Sequence, residues 1–367
     1  MSMKKFFISM VSLLILFSSC KKDSDEIIIG GAISLTGDNA LQGNRGLNGM
    51  LLAIDMVNEK GGINGKKIRL ISEDTQTTAK GAVNAYTKLI QADKVCAVMT
   101  TGDIEFLAIN DATKKAKVVT VATICSGMLE ENRSPYLFRY CFNEKKQDEM
   151  IMNYIKEGLG DSTVTVFYPN TLWGQEIVKY SKKTADSLNV AIKDMIPFET
   201  EIADQRSTAL KVMSSNPRII SARGFGSAYE AVLRSLSELG YNGAIIGDLT
   251  ISLPGSINNT KGIIEGAYSI SSDIRDDSTI SEDYKTRYRE KYKEAPSIWD
   301  ALGFDTCTFL LEAIKISMDD NITIEEAMYK VQGIPLLLGD NKFGSSNDVL
   351  FDMSVYKIMQ GVPQLIK

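Results

Sequence analysis

The sequence predicts an α/β protein of two lobes, each a three-layer α/β/α sandwich around a mostly parallel sheet, with a hinge between them. Three observations carry this expectation. Short apolar, β-branched runs alternate with amphipathic stretches along the chain, and the alternation starts afresh past Arg139. The 367 residues exceed what one ordinary core holds and suit two domains of about 150 residues each. Strands separated by helical stretches join through right-handed crossovers, which gives parallel sheets covered on both faces.

The first segment is a targeting signal rather than part of either lobe. Lys4 and Lys5 precede an apolar run from Phe6 to Phe17, and Ser18 and Ser19 lead into Cys20. The run is shorter than the roughly 20 residues a spanning helix needs, and a polar stretch from Lys21 to Glu26 follows it. Leu16-Phe17-Ser18-Ser19-Cys20 resembles the lipobox of bacterial lipoproteins, which implies acylation of Cys20. Residues 1–19 are therefore expected to be a signal peptide and 20–26 a tether.

The first series opens with Ile27 to Ile33, whose near-continuous apolar residues fit a strand buried on both faces. Leu47, Met50, Leu51, Ile54 and Val57 recur at helical spacing, and Gly61-Gly62 supply left-handed conformers to end that helix. Strand Lys67 to Ser72, helix Ala79 to Gln91, strand Val95 to Met99, helix Glu105 to Lys115 and strand Val118 to Val121 continue the pattern. The second series runs through helix Lys145 to Glu157, strand Thr163 to Tyr168, helix Gln175 to Leu188 and strand Ala191 to Pro197. Helix Asp204 to Met213, strand Arg218 to Ala222, helix Tyr229 to Leu239 and strand Ala244 to Ile246 complete it. The strand-like Ile263 to Ile270, helices Ser281 to Tyr292 and Trp299 to Ile316, and the β-rich Met353 to Ile358 come after both series. The chain is thus expected to cross between lobes more than once. The first lobe is assigned 27–142 and 273–340, and the second 143–272 and 341–367, an arrangement suited to hinging.

Composition removes whole classes of function. There is no histidine, which excludes His-dependent triads, Cys-His dyads, imidazole zinc sites and the usual neutral-pH proton shuttle. Cys96, Cys125, Cys141 and Cys307 are far apart and show no CxxC spacing for metal or redox work. They are read either as small buried hydrophobes or as partly paired in an exported protein. No basic group near Cys125 in the sequence would favour its thiolate, so nucleophilic catalysis is not expected. A net charge of -5 and the lack of a basic stripe argue against nucleic acid. No catalytic residue, metal or cofactor is expected.

Ligands of open parallel sheets bind beyond the carboxyl ends of the strands, so the residues just after each strand are the candidates. In the first series these are Ser34-Leu35-Thr36-Gly37, Thr100-Thr101-Gly102-Asp103 and Ala122-Thr123-Ile124-Cys125-Ser126-Gly127. Hydroxyls beside backbone N–H groups at helix starts suit a carboxylate, although each taken alone also reads as a helix cap. In the second series they are Pro169-Asn170-Thr171-Leu172-Trp173-Gly174, Arg223-Gly224-Phe225-Gly226-Ser227 and Gly247-Asp248-Leu249-Thr250. Hydroxyls and amides on one wall, with Trp173 and Phe225 on the other, suit a small molecule with an apolar part and charged ends. Arg223 and Asp248 offer it opposite charges.

Ile29-Gly30-Gly31-Ala32-Ile33-Ser34-Leu35-Thr36-Gly37 with Gly43, and Val57-Asn58-Glu59-Lys60-Gly61-Gly62-Ile63-Asn64-Gly65-Lys66-Lys67-Ile68, resemble the leucine/isoleucine/valine-binding protein family. Tyr168 to Gly174, Val232-Leu233-Arg234 and Leu239-Gly240-Tyr241 extend the resemblance over nearly the whole mature chain. It implies the type I periplasmic-binding-protein fold with three hinge crossings, and capture of an amino acid or related zwitterion for an ABC permease at a bacterial membrane. Receptor-type sensing without transport, and an amide or anionic ligand, stay open. By position, the family's carboxylate-binding hydroxyl falls on Gly102 beside Thr101, and its alanine carbonyl and threonine fall on Thr123 and Cys125. Its three aromatics fall on Gln42, Trp173 and Phe225, and its ammonium-binding acid on Leu249, next to Asp248. The family's early disulfide has no cysteines here.

Overall fold

The computed structural model describes residues 26–125, 132–260, 262–272, 279–339, 342–344, 346–349 and 351–366. The expected signal peptide, Cys20 and the tether up to residue 25 lie outside these residues, as do Ser126 and Gly127. No helix among the described residues is long and apolar enough to cross a membrane.

The first sheet consists of β1 (Glu26–Ile33), β2 (Lys67–Asp74), β3 (Val98–Thr101), β4 (Thr120–Thr123) and β5 (Leu137–Tyr140), all parallel, in the order β2-β1-β3-β4-β5. β3, β4 and β5 are buried at every residue, as apolar strands covered on both faces must be. Helices α1 (Ala40–Glu59), α2 (Ala79–Gln91), α3 (Asp103–Ala108) and α4 (Asn110–Ala116) make the connections. The single helix expected from Glu105 to Lys115 is broken at Ile109, which caps the end of α3 and the start of α4. The Thr78 hydroxyl accepts from Gly81 N–H at 3.0 Å and starts α2.

Past β5 the chain enters α5 (Glu144–Asn153), capped by the Asn143 side chain, which accepts from Lys146 N–H at 3.2 Å. A π-helical turn, Tyr154–Gly158, leads into β6 (Thr163–Pro169). Then follow α6 (Leu172–Leu188), β7 (Ala191–Phe198), α7 (Arg206–Ser214), β8 (Ile219–Ala222), α8 (Gly226–Glu238), β9 (Ala244–Gly247), a 3-10 turn (Leu249–Ser252), α9 (Pro254–Thr260) and β10 (Tyr268–Ser271). These strands form a second parallel sheet in the order β7-β6-β8-β9-β10, the order of the first sheet repeated. The strand expected from Ile263 shortens to Tyr268–Ser271 because successive turns close from Thr260 O to Ile263 N–H, Gly262 O to Glu265 N–H and Ile264 O to Ala267 N–H.

The chain then returns to the first sheet as α10 (Thr279–Tyr292), α11 (Ile298–Asp320) and α12 (Ile324–Met328), with α11 lying along α1. Buried Asp305 of α11 accepts from the backbone N–H groups of Leu337 and Leu338, both at 2.9 Å, and from the Tyr140 hydroxyl at 3.2 Å. Those bonds fasten the returning segment to the end of β5. Phe343, Val349 and Phe351 bury in the first sheet's core, and the Asp348 carboxylate pairs with Arg139 of β5 at 2.8 Å. The final passage to the second sheet therefore lies past Phe351 rather than at 341. There β11 (Ser354–Met359) adds antiparallel to β10, and β12 (Val362–Leu365) adds antiparallel to β11. Cys96, Cys125, Cys141 and Cys307 are all free, and the last three are buried.

Candidate functional site

In each sheet the strand order reverses beside the first strand, between β1 and β3 and between β6 and β8. Loops leaving the carboxyl ends of strands at such a point diverge and leave a crevice. The two crevices face one another and enclose a cavity of about 420 Å³. That volume suits a small molecule.

On the first-sheet side, Ser34 N–H donates to Thr101 Oγ1 at 3.1 Å, and Ser34 Oγ donates to the buried carboxylate of Glu105 at 2.6 Å. These bonds clamp the ends of β1 and β3 together. Gly102 follows with φ +97°, a left-handed conformation that a side chain would strain, and turns the chain into α3. Thr101, Gly102, Gln42 and Cys125 line the cavity, as do Asp38, Asp103, Cys141 and Trp299. Thr123 does not line it, because its hydroxyl donates to Tyr140 O at 3.0 Å inside the sheet. Burial pushes the Cys125 thiol well above its ordinary range and Cys141 up to about 12, so neither is poised as a nucleophile.

On the second-sheet side, Trp173 and Phe225 form an aromatic wall, with ring centroids 5.7 Å apart and planes inclined by 32°. Both stand at helix starts. The Thr171 hydroxyl caps α6 by accepting from Gly174 N–H at 3.2 Å, and Phe225 immediately precedes α8. A Cβ at Gly174 would collide with Pro169 O, and one at Gly43 would collide with Ser34 O. Glycine thus lets α6 and α1 approach the strand ends equally closely.

Arg223 lies behind this wall instead of lining the cavity. It is fully buried among three carboxylates. Its Nε donates to Asp248 Oδ2 at 3.0 Å, Nη1 to Asp148 Oδ1 at 2.8 Å and Nη2 to Glu144 Oε1. An arginine so enclosed is a structural counter-ion, not a free anion site. Asp248 does line the cavity, with its Oδ1 accepting from Thr250 N–H at 2.9 Å, and Leu249 lies beside it there. Burial raises the Glu144 carboxyl, with the Arg223 charge opposing that rise. Burial likewise raises Asp148 to about 7, against the pull of Arg223 and with the Glu144 charge adding to it.

Glu144 and Gln147, at the start of α5, also line the cavity and are absent from the sequence-derived candidates. The sequence reading assigns no strand to Leu137–Tyr140, so the segment after it does not count among the strand ends. Recognising β5 would have exposed it.

A model of the periplasmic binding protein family matches residues 26–361. The chain belongs to that family. This solute-binding protein is 23% identical over 336 residues to a Leu/Ile/Val-binding protein homolog of Brucella abortus, covering 88% of this chain and 87% of that one. It is 24% identical over 229 residues to an amino acid binding protein of Pseudomonas aeruginosa, but this match spans only 60% of that protein's length. Its fold matches that of the branched-chain amino acid transporter substrate binding protein LivJ of Streptococcus pneumoniae in complex with isoleucine. The TM-score there is 0.82 at 21% identity, over 92% of this chain and 98% of the other. An ABC transporter substrate-binding protein of Sphaerobacter thermophilus matches with TM-score 0.85 at 19% identity, over 93% and 97% of the two chains. Family membership makes it a binding protein and not an enzyme.

Proposed function

We propose that this protein captures an amino acid or related zwitterion between its lobes and delivers it to an ABC transporter. The observation that carries the reading is one cavity lined from both crevices, with hydroxyls and amides on one side, an aromatic wall on the other and carboxylates from both. Neither lobe alone encloses the ligand, so binding favours a closed arrangement reached by rotation about the passages between the sheets. Gln42, Thr101, Gly102, Cys125, Trp173, Phe225 and Asp248 make the contacts. Arg223 and Thr123 hold those contacts in place from behind. The names of the Brucella and Pseudomonas relatives support an amino acid.

The protein is exported and held at the membrane by acylated Cys20. Calorimetry with a panel of amino acids, amides and dicarboxylates tests the ligand class, and small-angle scattering with the ligand so found tests closure. Ligand binding with an unchanged radius of gyration would sink the hinge. Membrane association that survives Cys20→Ser would sink the anchor.

A further inference from the structure

We infer that the ligand carries a second cationic group beyond its α-ammonium, as a basic amino acid does; this deepens the amino-acid reading above and rests on it. Five carboxylates line the cavity from both sides, Asp38 and Asp103 from the first lobe and Glu144, Glu201 and Asp248 from the second. Among the described residues the lining contains no lysine or arginine. Arg223 sits behind the lining with its single charge shared among Glu144, Asp148 and Asp248, so it offers the ligand no free positive charge.

A zwitterion with an aliphatic side chain brings one positive charge and one negative, which leaves the negative charge of this lining uncompensated. A second cation compensates it. Trp173 and Phe225 present ring faces suited both to an alkyl stem and to a cation. Gln147 is an independent sign of an occupant. It is 3% exposed, it lines the cavity, and its Nε2 has no partner among the described residues. A buried amide donor of this kind calls for an acceptor on the ligand, such as the carboxylate of an amino acid. Asp38 and Glu201 are exposed at the mouth, where they draw cations in from solution.

The test is titration calorimetry on the mature protein with lysine, arginine, norleucine, leucine and cadaverine, at low and at raised salt. Norleucine is lysine without the ε-ammonium, so the pair isolates the charge. Lysine or arginine is expected to bind at least about tenfold tighter than norleucine at low salt, with the gap narrowing as salt rises. In the double variant Asp38→Asn, Glu201→Gln the lysine-to-norleucine affinity ratio is expected to fall severalfold while the ligand-free melting temperature is kept. Norleucine or leucine binding as tightly as lysine and arginine overturns the inference and leaves the amino-acid reading standing. Cadaverine binding without any amino acid overturns the amino-acid reading and keeps the demand for a cation. No binding by any of the five overturns both.

Discussion

Trp173 Nε1 donates a 2.7 Å hydrogen bond to Glu144 Oε2, which ties the aromatic wall of the cavity to the buried cluster around Arg223. Glu144 thereby uses one oxygen for the indole and the other for the guanidinium. Whatever shifts the indole shifts a carboxylate that faces the ligand.

Trp173→Phe is therefore expected to do two things. It removes most of the ligand-dependent change in intrinsic fluorescence, and it weakens binding by about tenfold, because Glu144 loses a partner in a buried setting. Trp299 also lines the cavity and is the remaining emitter. A fluorescence titration in which the signal survives Trp173→Phe but vanishes in Trp299→Phe would place the ligand against the first lobe's indole instead.

Arg223→Met should destabilise the protein by about 3 to 5 kcal/mol, since it leaves Glu144, Asp148 and Asp248 buried without their shared cation. Arg206→Ala, which breaks an exposed pair with Glu238, should cost less than about 1 kcal/mol. Urea denaturation of both variants measures the contrast. Similar losses in the two would mean that Arg223 is not the cluster's counter-ion.

The doubly wound lobes were legible because buried parallel strands leave uninterrupted apolar runs, and such runs survive without knowledge of tertiary contacts. β5 was not, since Arg139 interrupts Leu137–Tyr140 and pairs with Asp348, far along the chain. The candidate site divides in the same way. Trp173 and Phe225 follow β6 and β8 directly, and the order of the sheet brings their rings together. For Arg223, sequence position indicates a ligand contact, but the side chain folds inward toward Glu144 and Asp148 on α5. A charge with partners from a different element cannot be placed from its own neighbourhood.

Gln147→Met is expected to separate binding from stability. Its buried amide donor has no partner among the described residues, and a group in that state costs free energy in the ligand-free fold. Replacing it with an apolar side chain of similar length should hold or raise the ligand-free melting temperature while weakening ligand binding by about tenfold. A variant that melts lower and binds normally would assign Gln147 to the fold alone.

Asp148 gives the protein a specific pH dependence. Its Oδ1 accepts from Ser181 Oγ at 2.7 Å and from Arg223 Nη1 at 2.8 Å, whereas Oδ2 is buried without a partner among the described residues. Burial raises the carboxyl to about 7 despite the Arg223 charge, well above the value of about 3.9 usual for an unfolded aspartate. Between those two values the folded state holds the proton more firmly than the unfolded chain does. The group's contribution to stability is thus full below about pH 4 and is lost as pH rises through about 7. Asparagine keeps the Oδ1 acceptor for both partners and has no proton to lose. The decline in melting temperature between about pH 5 and pH 8.5 should accordingly be smaller in Asp148→Asn than in the parent protein. Glu144, raised in the same direction, keeps some of the slope in both. Equal slopes in scanning calorimetry would show that Asp148 stays ionised throughout this range, with Arg223 outweighing its burial.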